Sequence, residues 1–315
     1  MHLPDGFLNA TTCAGAGVVA VGALALAVRR TRTDVGDRLV PLMGVMSACV
    51  FAAQMVNFPI FWGTSGHLLG AVLAAIVLGP WAALLAMTVV LVVQCFLFYD
   101  GGPIALGANV LNMAVIGALG GYAVYALARR LVGGPKGQVA GAVIASWVSV
   151  QLAAAACAGE LWWSGTYTLH TVLPAMLVVH SAIGIGEALI TGSVVAFLVS
   201  VRPDLLYASH VEDHAPGRLR HAAAAGLALA LVIAFCLSPL ASAAPDGLER
   251  VAENLGNPAA APAGAPGVIP LADYQLPWLA GAWWATSIAG IIGALVVFVL
   301  AWYLSRGLLR VPTSH

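Results

Sequence analysis

Apolar residues run along this chain in long blocks, without the alternation of a surface strand or the one-sided stripe of a helix lying against water. Stretches such as VVLVVQCFLF and GIIGALVVFVLAW carry no charge over many consecutive positions. A helix needs about 20 mainly apolar residues to cross a bilayer. Blocks of that kind fall at 11–28, 38–58, 81–98, 105–128, 138–158, 172–200, 221–241 and 278–304. A further block, 68–79, is short and is followed at once by Pro80. The pattern predicts an all-α, polytopic integral membrane protein with about nine transmembrane helices.

The basic residues give those spans a direction, because Lys and Arg in short loops stay on the cytoplasmic side. With nine crossings and the N-terminus outside, the inside loops hold Arg29, Arg30, Arg32, Arg38, Arg129, Arg130, Lys136, Arg202, Arg218 and Arg220. The inside tail adds Arg306 and Arg310, and Arg250 alone falls outside. The block 68–79 is either a tilted or partial span or a re-entrant element; removing it would reverse every loop after it, which favours a span. The chain is then a multi-pass protein of the inner (plasma) membrane with a cytoplasmic C-terminus.

Hydrophobic residues make up 61% of the chain and charged ones 8%, against roughly 25% charge in soluble domains. Thirteen basic and thirteen acidic residues cancel, which argues against a nucleic-acid partner. Cys13, Cys49, Cys95, Cys157 and Cys236 lie in apolar surroundings without metal-site spacing, and read as small buried hydrophobes. After the seventh block, VRPDLLYASHVEDHAPGRLRH gathers Pro, Asp, Glu and His as a linker does, with His210 and His214 in an exposed inside loop. Three parts follow: a membrane domain at 1–203, a cytoplasmic linker at 204–220 and a two-helix module at 221–315. The outside loop of the module contains the low-complexity stretch NPAAAPAGAPG.

The chain opens MHLPDGFLNATTC, with no basic residue ahead of its first apolar block, unlike a secretory signal. Removal of an initiator methionine needs a small second residue, and His2 is bulky, so Met1 is expected to keep its amine. That amine, the backbone nitrogen of His2 and its Nδ1 can close a five- and a six-membered ring on one metal ion. Three nitrogens in a plane suit Ni(II) or Cu(II), whereas Mg and Ca take oxygens and Zn prefers a tetrahedron. The PIFWGTSGH loop places His67 on the same side as a fourth nitrogen, and Pro4 with Gly6 can fold the terminus back into the bundle.

Polar side chains at membrane depth are costly unless they face a cavity or a partner. Gln54, Asn57, Gln94, Asp100, Asn109 and Asn112 therefore either support the imidazoles from behind or bond helix to helix. His180 and Glu187, seven apart, share a helix face. His180 is a pocket or supporting residue, and Glu187 either a structural partner or a coupling residue. Asp246, Gly247 and Glu249 form a PDGLE motif with the pattern of a helix start. Ala16, Ala20, Ala23 and Ala27 on the first span are spaced for close helix contact, a face available to a partner subunit.

MHLPDGFL, the TTC behind it, the GTSGH loop and VVHSAIGIGEALITG together resemble the CbiM/NikM family, the substrate-binding (S) components of energy-coupling-factor cobalt and nickel transporters. PDGLE, DYQLPWL and the closing apolar helix resemble the small NikN-type subunit found fused to such proteins. The two resemblances cover nearly the whole chain. They imply Met1, His2 and His67 as ligands of a transported Ni(II) or Co(II), nickel favoured, with no organic cofactor. They also imply a membrane T component of the CbiQ/NikQ kind and ATPase subunits of the CbiO/NikO kind, since this chain has no P-loop; it is a transport component, not an enzyme. Two rivals predict other features: a vitamin-binding S component, an aromatic-lined pocket drawing on Trp62, Trp81, Trp162 and Trp163; a membrane enzyme, His67, His180 and Glu187 at one depth.

Overall fold

The computed structural model describes residues 1–34, 38–208, 216–256, 269–276, 279, 282 and 284–310. His210, His214 and the NPAAAPAGAPG stretch lie outside the described residues. The protein is an all-α polytopic membrane protein. In chain order the helices are α1 (Ala10–Asp34), α2 (Leu39–Gln54), α3 (Ala71–Leu78), α4 (Pro80–Val93), α5 (Leu106–Asn109), α6 (Gly121–Val132), α7 (Gly134–Trp163), α8 (Leu169–Val201), α9 (Pro216–Cys236), α10 (Gly247–Asn254) and α11 (Ala285–Arg310). A π-helical turn, Gln94–Phe98, ends α4, and a π-helical stretch, Val110–Gly120, joins α5 to α6 in one continuous rod. A two-residue hairpin, Phe58–Pro59 against Ser65–Gly66, lies between α2 and α3.

Helices are the answer that a bilayer forces on these apolar blocks, because hydrocarbon offers no partner for a backbone N–H or C=O. Among the described residues seven helices are long and apolar enough to cross: Ala10–Arg32, Pro80–Phe98, Leu106–Val132, Gly134–Trp163, Leu169–Val201, Leu219–Leu240 and Ala285–Leu308. Leu39–Gln54 is apolar but shorter.

The short block departs from the expectation that it spans as a helix. Only Ala71–Leu78 is helical, about 12 Å at 1.5 Å per residue, less than half the hydrocarbon thickness. Gly70 sits at φ +74°, open to glycine at little cost, and delays the helix start; Gly79 and Pro80 end it and begin α4. Every residue of α3 is buried, so the non-helical backbone before it is sheltered by protein, as irregular chain at membrane depth must be. Three non-helical residues and a half-helix carry the chain from His67 to the far end of the bundle, where the Tyr207 N–H donates to Ile76 O at 2.9 Å.

The bundle thus has two distinct ends. Met1, His67, Asp100 and Asp246 meet at one. Arg38, Trp81, Tyr207, Arg220 and Arg306 line a cavity of about 1190 Å³ at the other. α7 and α8 pack along each other, and α11 runs against α2 and α9. The small residues of α1 face inward: Ala16, Ala20 and Ala27 are buried while Val18, Val19 and Val21 are exposed. That face is occupied by this chain itself and is not free for a partner.

Candidate metal centre

Residues 1–9 form a strap that folds into the bundle. Pro4, Asp5 and Gly6 (φ +91°) make the turn, and Asp5 Oδ1 fixes it by accepting from the Ile104 and Ala105 N–H groups at 2.9 and 3.1 Å. Asn109 clamps the middle from both sides: the Leu3 N–H donates to its Oδ1 at 2.8 Å, and its Nδ2 donates to Leu3 O at 3.1 Å. Leu3 and Phe7 are fully buried, and Thr166 Oγ1 donates to Phe7 O at 2.6 Å. Asn9 caps α1, its side chain accepting from the Thr12 N–H.

The strap delivers the terminus to a nest of polar groups. The Met1 ammonium lies 3.2 Å from His67 Nε2 and donates to Asp246 Oδ2 at 2.6 Å. A backbone carbonyl can only accept, so His67 Nδ1, 3.0 Å from Leu68 O, carries the proton and Nε2 presents its lone pair to the terminus. The rings of His2 and His67 stack with centroids 5.1 Å apart. His2 Nδ1 faces Asp100 Oδ1 at 3.0 Å, and its Nε2 faces Gln94 Oε1 at 3.2 Å. Tyr274, from the module, donates to the other Asp100 oxygen at 2.6 Å.

Electrostatics follow from this crowding. Burial, then the neighbouring terminal ammonium and His2, push His67 down to about 3. Burial also lowers His2, with Asp100 pulling the other way. Against the cost of burial, the ammonium holds the Asp246 carboxyl well below the usual carboxylate range. Both imidazoles are thereby biased to the neutral form that a metal ion requires.

The module is stitched to the His67 loop. Ser65 N–H donates to Pro245 O at 2.9 Å, Ser65 Oγ to Ala244 O at 2.7 Å, and the Arg250 guanidinium to Gly63 O. Asp246 divides its oxygens: Oδ1 caps α10 by accepting from the Glu249 N–H at 2.8 Å, and Oδ2 holds Met1. Glu249 returns the capping bond to the Asp246 N–H at 2.9 Å. PDGLE is a helix start, as its sequence suggests, and it also grips the chain terminus.

Of the supporting residues expected here, Gln94 and Asn109 stand in the nest, while Gln54 reaches it indirectly by donating from Nε2 to Leu69 O at 2.8 Å. Asn112 does not belong to it; its Nδ2 donates to Glu160 Oε2 at 2.7 Å in a separate pair. Asn57 contributes only its backbone carbonyl, which accepts from the Ser242 N–H at 2.8 Å. Glu187 has a structural partner: its two oxygens accept from the Leu69 and Gly70 N–H groups at 2.5 and 2.8 Å, holding the chain between His67 and α3. His180 is completely buried beside Met1 and His67. Sequence reasoning missed Tyr274 and Asp5, and missed that Asp246 binds the terminus; Tyr274 sits in DYQLP with no local sign of a partner 174 positions away.

Among the described residues no three His, Cys, Asp or Glu side chains converge as a metal cage would. The nitrogens gathered here are the Met1 amine, the His2 backbone N, one His2 ring nitrogen and His67 Nε2, a set suited to a square-planar late transition metal. In the neutral tautomer with its proton on Nε2, facing Gln94 Oε1, His2 Nδ1 has a lone pair to offer an ion. No aromatic-lined cavity opens at this end among the described residues; Trp162 and Trp163 are exposed, and Trp81 belongs to the far end.

The chain is similar to known proteins over both of its parts. Residues 2–205 match the family model CbiM, described as the cobalt uptake substrate-specific transmembrane region, and residues 220–310 match the PDGLE domain. A relative from Archaeoglobus fulgidus, named for fused nickel transport (NikMN), is 38% identical over 97% of this chain and 98% of its own length. The cobalt transport protein CbiM of Sorangium cellulosum is 35% identical over 69% of this chain and 99% of its own. A crystal structure of a truncated transition metal transporter superposes with a TM-score of 0.59 at 38% identity, over 64% of this chain and 99% of that one.

Proposed function

The chain belongs to the CbiM family of cobalt-uptake substrate-specific transmembrane proteins, with a PDGLE domain behind it, and on that premise we propose that its N-terminal strap chelates the transported ion. The ligands are the Met1 amine, the His2 backbone nitrogen, His2 Nδ1 and His67 Nε2. Ni(II) is favoured over Co(II), because four nitrogens in a plane suit a d8 ion best. The carrying observation is the Met1 nitrogen 3.2 Å from the His67 Nε2 lone pair, since a buried chain terminus facing an imidazole has no need of that ring for packing.

The protein acts as the substrate-specific component of an energy-coupling-factor importer. A membrane T component and ATPase subunits supply the energy, because this chain carries no phosphate-binding loop. The N-terminus lies outside and the basic end faces the cytoplasm, following the positive-inside rule. The domain at 1–203 binds the ion, 204–220 links, and the module at 221–315 closes the site through Asp246 and Tyr274. Binding exchanges protons for the ion: the ammonium releases one and the His2 amide another, while Asp100 keeps the Tyr274 hydroxyl as its donor. The strap then has to swing out to load and release cargo, since it covers the nest.

Metal content by mass spectrometry, after exposure to Ni(II) and Co(II), tests the reading. The native chain is expected to hold about one ion, and a variant with two residues ahead of Met1 none. Equal binding by both would remove the amine from the ligand set and overturn it.

A further inference from the structure

His180 borders the chain terminus, and one nitrogen of its ring has no partner among the described residues. It sits on α8, fully buried. Its Nδ1 lies 2.8 Å from Met176 O, one turn back on the same helix. That carbonyl can only accept, so Nδ1 bears the proton and Nε2 carries a free lone pair. No described group bonds to that lone pair, although buried polar atoms are nearly always paired.

The lone pair is also kept accessible. A cavity of about 10 Å³ is lined by Met1, His67, His180, Asp246 and Gly247, among others. Its volume is that of a single small atom or water. Gly247 forms one wall: a Cβ there would lie 3.1 Å from His180 Nε2 and 2.9 Å from Cε1, so any side chain in place of this glycine would crowd the nitrogen. His67 and His180 thus share one tautomer, and both border the space beside the terminal amine.

We propose that His180 is a further metal ligand, on the route of the ion away from the strap. The ion leaving the first set keeps the Met1 amine and His67 Nε2, and takes His180 Nε2 in place of the His2 imidazole. One neutral imidazole replaces another, and the His2 backbone nitrogen, on losing the ion, takes back a proton from water. The Asp246 carboxylate stays beside the ion in both positions and balances its charge. Release of His2 loosens residues 2–9 of the strap while the ion is still held between Met1, His67 and His180. This rests on the transport reading given above.

The test uses the full chain in detergent with Ni(II) alone. His2→Gln removes the first imidazole with a residue bulky enough to keep Met1 in place. It is expected to weaken binding about 100-fold and leave measurable affinity, and His2→Gln with His180→Gln to lose a further ~10-fold or more. His180→Leu, measured in parallel with metal-free melting temperatures, separates a folding defect from a lost ligand. If the double variant binds as well as His2→Gln, the lone pair serves a water and the proposal falls. If the native chain binds no ion, or binds equally with residues ahead of Met1, the transport reading itself fails, a distinct result.

Discussion

At one end of the bundle a chain terminus, three carboxylates, two imidazoles and two amides meet with nearly every donor matched to an acceptor. At the other, Arg38, Arg220 and Arg306 border about 1190 Å³ of open space with no carboxylate among the lining residues. Both ends are polar, yet they use polarity differently. Paired groups in a tight nest fix positions to a fraction of an ångström, which is what recognition of a small ion demands. Arginines on long flexible stems around an open cavity give that end a sign of charge without fixing a geometry.

The strongest way to break this comparison is to move the terminus. Two residues added ahead of Met1 remove the amine and the chelate ring, with an expected loss of metal affinity of about 10²–10⁴-fold, the scale of a lost tether. Isothermal calorimetry in detergent reads it directly. His67→Ala comes next, at about 100-fold, since one of four nitrogens goes while the chelate survives. Gln94→Leu leaves all four donors and removes the group that orients His2 through Nε2, for about 10-fold.

Acid sharpens the contrast in another way. The folded chain keeps His67 neutral down to about 3, whereas the unfolded chain protonates it near 6.5. Between those values the unfolded state binds more protons, so stability is full above about 6.5 and falls as pH drops toward 3. The buried His2 shifts in the same direction. The metal-free protein should therefore melt at a lower temperature at pH 5 than at pH 7.5; an unchanged melting point would mean that the nest is open to water. Last and smallest, Arg306→Ala at the far end should leave Ni(II) affinity within about two-fold, because charges a membrane's thickness away couple weakly to the site.

The same two ends differ in how far the sequence discloses them. The basic end was readable from a count of arginines, because charge bias is a property of loops taken singly. The core of the nest was readable from covalent chemistry, as the spacing of amine, amide and imidazole in Met-His is set by bonds. What supports the nest was not. Asn57 and Asn112 have the same polar character as Gln94 and Asn109, and only packing separates those that reach the strap from those that do not. Tyr274 and Asp246 lie far along the chain from their partners, and no local pattern encodes such pairings. At the short block a hydropathy pattern does not tell a full helix from a partial one, and Gly70 and Glu187 allow three non-helical residues to do part of the crossing.

The bond between Met1 and Asp246 joins residues 245 positions apart. Ribosomes make the first of these at the start of synthesis and the second only after the seven-span unit is complete. Tyr274, which secures Asp100, comes later still. An unfinished chain therefore has histidines in the membrane but no closed nest around its terminus. The order of manufacture itself keeps the nest open until the last helices arrive.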